Sequence, residues 1–198
     1  MTKNVLNPTQ EDGRKLLRAL RFMAHTSDAV LTLGYRGVPS LYVFIDASFA
    51  THTDMKSHAG VLCTLGTGAL YTKSTAQKIN TTSSCEAELV ALAKGLQQTL
   101  WAHTFLIGQG LTTPPITIYQ TNQRTIKLIK CGRPADEQSR HINIGYFWIH
   151  DLIKQGVVTV KFCPTLSMLA DYFTKPFQDS LFTDLRDQVL GVKAIALL

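Results

Sequence analysis

A chain of 198 residues with 45% apolar side chains is long enough to bury a full core, and its length fits one domain with extra elements at the ends. Twenty Lys and Arg against fourteen Asp and Glu give a formal net charge of +6, a balance that favours polyanionic partners without requiring one. Every apolar run stops short of the roughly 18 residues of a membrane span, the first residues lack a signal-peptide core, and Cys63, Cys85, Cys131 and Cys163 lack C-x-x-C spacing. An intracellular protein, cytoplasmic or nuclear, with cysteines as small core residues rather than zinc ligands or disulfides, is the expectation.

The first element, TQEDGRKLLRALRFMAHT, opens with Thr9 three residues before Asp12, a variant capping box, and continues with helical apolar spacing at Leu16, Leu17, Leu20 and Met23. LYVFIDASFA then predicts a buried strand, and GVLCTLGTGALYTKST a hairpin turning at Gly66 to Gly68. SSCEAELVALAKGLQQTLWAHTFLIGQG predicts a long helix with a serine cap and a glycine stop. After TTPP, ITIYQ is the fourth strand, NQRTIKLIKC a short helix, DEQSRHINIGYFWIHDLIKQG a longer helix and VVTVKFC the fifth strand. TLSMLADYFTK is expected to be a helix ending before Pro176, and FQDSLFTDLRDQVLG an amphipathic segment with Phe182, Leu185 and Val189 on one side. Three antiparallel strands followed by alternating helix and strand make a mixed α/β sheet flanked by helices.

In such a sheet, chemistry gathers near strand ends and the helices facing them. Three carboxylates lie there: Asp46 after LYVFI, Glu86 in the first turn of the long helix, and Asp171 among Leu169, Ala170, Tyr172 and Phe173. Each alone has a structural reading: Asp46 capping a turn, Glu86 complementing the helix dipole, Asp171 pairing with Lys175 at i,i+4. Three together on converging elements point instead to a divalent-cation site, because a carboxylate in apolar surroundings needs a cation and magnesium prefers hard oxygen ligands. Two such ions about 4 Å apart can activate a water and stabilise a leaving oxygen in phosphodiester hydrolysis.

DASFA, SHAGVLCTLGTGALYTKST, SSCEAELVAL, IYQTNQRTI, SRHINIGYFWIHDLI and LADYFTKPF, in this order and spacing, resemble the ribonuclease H domain of copia-type retrotransposon polyproteins over nearly the whole chain. The resemblance implies a ribonuclease H-like fold, a five-stranded mixed sheet of order 3-2-1-4-5, with cleavage of the RNA strand of RNA–DNA hybrids at four acidic residues holding two magnesium ions, or manganese in their place. Carried over by position, the acids fall on Asp46, Glu86, Thr121 and Asp171, so Asp46, Glu86 and Asp171 are the expected metal ligands. The third stands as threonine because the chain has TNQ where the family has DNQ. A neutral hydroxyl removes one anion, and impaired or absent cleavage is the expectation. Thr75 and Ala76 replace a Lys-Lys pair of the family, and RHINIGY, with Asn143 and Gly145, replaces KHIDIRY. The resemblance also implies a tether from a reverse transcriptase in residues 1–35, the ribonuclease H-like domain in 36–177 and a C-terminal tail in 178–198. An RNA–DNA hybrid is the expected partner, with a reverse transcriptase domain as a second; no membrane and no small-molecule cofactor are expected.

For the hybrid's phosphates and 2′-hydroxyls the candidates are Lys73, Lys78, Asn80, Ser83, Ser84, Asn122, Arg124 and Arg140, with Lys127 and Arg133 as further cations. A solvated surface is the alternative for each cation, and a helix cap for Ser83 or Ser84. His141 is expected to pack rather than shuttle protons, and Trp101, Trp148 and Tyr146 to fill the core.

Overall fold

The computed structural model describes residues 5–132 and 140–197, and at 140–143 the backbone only. The chain divides into two compact units, residues 1–30 and 31–198. The first contains helix α1 (Gln10–His25), whose capping box forms as the sequence predicts: Thr9 accepts from the Asp12 N–H, and the Asp12 carboxylate accepts from the Thr9 N–H. No α1 residue is buried, and Leu16, Leu17, Leu20 and Met23 all stand exposed.

The second unit is built on a five-stranded sheet of order β3-β2-β1-β4-β5. Strands β1 (Tyr42–Ser48), β2 (His58–Thr64) and β3 (Tyr71–Ala76) form an antiparallel meander. Strands β4 (Ile116–Gln120) and β5 (Val158–Phe162) join it in parallel, β4 on β1 and β5 on β4. Alternation along the strands separates two cores. Val43, Ile45, Val61 and Ile118 meet α2 (Ser84–Gly108), α3 (Gln123–Cys131) and α4 (Arg140–Lys154) on one face. Phe44, Leu62 and Tyr119 meet Met168, Leu169, Ala170 and α5 (Asp179–Leu190) on the other.

Several local expectations are corrected. TLSMLADYFTK is not one helix: it breaks into two 3-10 turns, Thr165–Ser167 and Leu169–Phe173, because Met168 between them is extended (ψ 95°) and points its buried side chain into the second core. Trp101 is not core; it is 63% exposed and stacks on Phe105, ring centroids 5.6 Å apart, on the outer face of α2. Tyr146 is buried as expected and donates to the Leu128 carbonyl, while Trp148 is half-buried. Cys63, Cys85 and Cys163 are buried, but Cys131 is exposed at the last position of α3. Gly145 brings α4 against α2, where an added Cβ would lie 3.1 Å from the Ala93 methyl. Arg133 and the side chains of Arg140, His141 and Asn143 lie outside the described residues.

Candidate active site

Asp46 is the fifth residue of β1 and is 5% exposed. Its partner across the ladder is Gly60 of β2. That glycine is required by packing: a Cβ there would lie 2.6 Å from the Ala170 carbonyl oxygen and 2.7 Å from the Thr174 methyl. The missing side chain lets the turn Leu169–Phe173 settle directly on the sheet, bringing Asp171 beside Asp46. Hydroxyls fasten the turn: Ser74 donates to the Phe173 carbonyl at 2.8 Å, Ser48 to the Thr174 carbonyl at 3.3 Å, and Thr174 to Asp46 Oδ2 at 2.5 Å. Behind Ser74 stands a short polar chain, His58 Nε2 at 2.8 Å from its Oγ and His52 Nε2 at 3.0 Å from His58 Nδ1.

Asp171 is 4% exposed; Lys175 donates to its Oδ2 at 2.5 Å, the pairing its i,i+4 spacing suggests, and among the described residues its Oδ1 has no hydrogen-bond partner. Burial pushes its carboxyl up to about 6; Lys175 pulls against that rise and the charge of Asp46 adds to it.

The acid that α2 contributes is Glu88 and not Glu86. Two residues apart on a helix is about 200° of rotation, so the two side chains face opposite ways. Glu86 turns back to the helix start, where its Oε2 accepts from the Thr82 N–H at 2.6 Å and the Thr82 hydroxyl at 2.8 Å while Ser83 caps the Glu86 N–H at 3.2 Å. Glu88 turns inward and is 5% exposed. It accepts from Gln120 Nε2 at 3.1 Å and from the Ala47 N–H. Burial, then the charge of Asp46 and more weakly that of Asp171, raise its carboxyl to about 8 against those two hydrogen bonds. A sequence signal for Glu88 was present: Cys85, Leu89, Leu92 and Leu96 mark the buried stripe of α2, and Glu88 sits on that stripe whereas Glu86 does not.

Thr121 follows β4 and is joined to Glu88 through one buried side chain. Gln120 gives its Nε2 to Glu88, and its Oε1 accepts from the Asn122 N–H at 2.9 Å and from the Thr121 hydroxyl at 3.4 Å. The structure thus gathers Asp46, Glu88 and Asp171, with Thr121 at the edge through Gln120. Among the described residues no group of three or more His, Cys, Asp or Glu side chains stands ready to hold a metal ion. Thr174 and Lys175 engage one oxygen each of Asp46 and Asp171.

Of the expected nucleic-acid ligands, Lys73, Lys78, Ser84 and Arg124 are exposed. Asn80 is exposed and donates to the Asp54 carbonyl at 3.5 Å. Ser83 and Asn122 serve as helix caps, Asn122 accepting from the Thr125 N–H at 3.1 Å.

No family model matches the chain. It is similar to the retrovirus-related Pol polyprotein from transposon RE1 of Arabidopsis thaliana, 31% identical over 186 residues, which is 92% of this chain and 12% of that protein. The retrovirus-related Pol polyprotein from transposon TNT 1-94 of Nicotiana tabacum is 29% identical over 85% of this chain and 13% of its own length. This chain is a homologue of copia-type transposon Pol polyproteins. It spans only about an eighth of the length of the curated relatives it matches. Among solved structures, the copia-type segment is similar to LC11-RNase H1 in complex with RNA/DNA hybrid, TM-score 0.50 at 15% identity over 67% of this chain and 92% of that one. A second LC11-RNase H1 structure, from a protein isolated from compost, gives TM-score 0.51 at 13% identity over 69% and 93%. At such identities the likeness shows the fold, which is ribonuclease H-like, with the strand order that the sequence resemblance implied. Among the described residues, no helix of this copia-type domain is long and apolar enough to cross a membrane.

Proposed function

We propose that this domain binds RNA–DNA hybrids and hydrolyses the RNA strand with divalent cations at Asp46, Glu88 and Asp171, its turnover reduced by threonine at position 121. The observation that carries the reading is the convergence of three buried carboxylates from β1, α2 and the turn Leu169–Phe173, two of them held at raised values and one with an oxygen that has no hydrogen-bond partner among the described residues. Mutual repulsion and an orphaned oxygen mark a place short of positive charge. Hard carboxylate oxygens suit magnesium or manganese, and a bound divalent ion there would polarise a phosphoryl oxygen and acidify a water.

The chain's own groups do the positioning. Gln120 and the Ala47 N–H aim Glu88, Thr174 holds Asp46, and Lys175 holds Asp171. Thr121 contributes no charge, and its hydroxyl is directed at Gln120. Loss of one anion from a site of low dielectric is worth about 4 kcal/mol, or about a thousandfold in rate.

A second reading, hybrid binding without turnover, is favoured by a different observation: Thr174 and Lys175 already engage Asp46 and Asp171. Cleavage of a labelled hybrid by the native chain and by Thr121→Asp, in magnesium, in manganese and in chelator, separates the two. On the first reading Thr121→Asp cuts about a thousandfold faster than the native chain. Two equally inactive proteins that still bind the hybrid support the second, and a native chain as fast as the variant overturns the role given to Thr121.

A further inference from the structure

The row of the sheet next to Asp46 ends in a lysine. Ile45 pairs with Val61, and Val61 with Lys73, whereas Asp46 pairs with Gly60, and Gly60 with Ser74. Helix α2 crosses the Ile45–Val61–Lys73 row at Gly95, where an added Cβ would lie 3.0 Å from Ile45 Cδ1 and 3.1 Å from Val61 Cγ2. So close an approach of helix backbone to the sheet brings the preceding residue, Lys94, to the sheet face on which Lys73 stands. The segment after β3 is pinned to the same helix, Gln77 Nε2 donating to the Ala87 carbonyl at 2.8 Å, and this holds Lys78 on that side as well.

Three ammonium groups therefore converge at the β3 edge, Lys73 and Lys78 exposed and Lys94 half-buried. Among the described residues none of the three forms an ion pair. Burial, and then the charges of Lys78 and Lys73, lower the Lys94 ammonium from its usual value. Gathering like charges this way opposes folding, and a ligand bearing several evenly spaced anions offsets it.

We propose that Lys73, Lys78 and Lys94 form one phosphate-binding cluster that grips the sugar-phosphate backbone of a bound nucleic acid. Its position selects this ligand over an isolated phosphate. Lys94 lies six residues along α2 from Glu88, about 9 Å of helix rise, and Lys73 stands on this α2 face of the sheet, opposite to the face that Asp46 shares with Phe44. That helix rise matches about three nucleotide steps at roughly 3.4 Å each, so a strand seated at Glu88 runs on over the lysines. The sequence offers Lys73 and Lys78 as scattered surface cations; Lys94, which makes them a unit, sits mid-helix with no local signal. The inference rests on the hybrid-binding reading above.

The test is fluorescence anisotropy of a short labelled RNA–DNA hybrid with the full chain in chelator, titrated from about 50 to 200 mM salt. Lys94→Gln, Lys73→Gln and Lys78→Gln should each flatten the slope of log affinity against log salt by about 0.9, and the triple variant by about 2.7. Lys94→Arg and Lys154→Gln, the latter at the far end of α4, should keep the native slope, and thermal melts should show each variant folded. A folded Lys94→Gln with the native slope overturns the cluster while leaving hybrid binding intact. A native chain with no salt-dependent hybrid binding overturns both.

Discussion

Replacing Glu88 by Gln isolates the charge crowding on which the active-site reading depends. In the native chain this carboxyl rises from 4.5 to about 8, which at about 1.4 kcal/mol per pH unit sets a ceiling of about 5 kcal/mol. The folded state keeps a proton that the unfolded chain releases, so the stability tied to that proton is complete below about pH 4.5 and is lost as pH rises through about 8. Asp171, raised from 3.8 to about 6, adds a loss at lower pH in both proteins. The difference between native chain and variant therefore reports Glu88 together with its coupling to Asp46 and Asp171. Glutamine keeps the shape and can still accept from Gln120 and the Ala47 N–H but cannot ionise. With water entering as the carboxylate forms, about 2–3 kcal/mol of the ceiling survives, a gain for the variant of roughly 5–10 °C in melting temperature at pH 8.5. Thermal melts from pH 5 to 9 in chelator read it directly. The two proteins should lie closest at pH 5 and separate progressively as pH rises from there towards 8, and excess magnesium should stabilise the native chain more than the variant. Melting curves that keep a constant offset from pH 5 to 8.5 would refute the placement of Glu88 among the other acids.

Lys175→Met leaves the buried Asp171 without its cation. With Lys175 39% exposed and solvent screening part of the pair, the loss is about 1–3 kcal/mol in urea unfolding at pH 7.5. It should shrink at pH 5, below the raised value of Asp171, and equal losses at both pH values would remove the ion pair from the account. Gly60→Ala forces a methyl against the Ala170 carbonyl and Thr174, with an expected cost of about 2–3 kcal/mol. Amide exchange should quicken at Thr174 and Lys175, whose N–H groups bond the Asp171 carbonyl, before it does in β1; unchanged protection there would show that the turn does not need the glycine.

How far the site was legible follows from which signals are local. Thr9 with Asp12, and Ser83 at the start of α2, are caps written in neighbouring residues, and both form. Asp46 and Asp171 stand out because each interrupts an apolar run. Glu86 is the acid that first-turn position and the resemblance select, and Glu88 goes unnoticed, because both lie in the first turns of one helix and only the position of the buried stripe separates them. Trp101 fits helical spacing as a core residue, yet it stands exposed against Phe105, while Leu100, Ala102 and Leu106 of the same stretch of α2 pack on the core.

The sequence by itself determined the element order, the alternation that splits the sheet into two faces, the presence of acids at the ends of β1 and the last turn, and the neutral threonine between them. Periodicity and capping act over a few residues, so they are readable in a string. Tertiary structure alone decided that Gly60 admits the turn carrying Asp171, that Gln120 ties Thr121 to Glu88, and that Lys94 joins Lys73 and Lys78. Each of these depends on strand register and helix crossing, which set distances between residues far apart in the chain and leave no mark on their immediate neighbours.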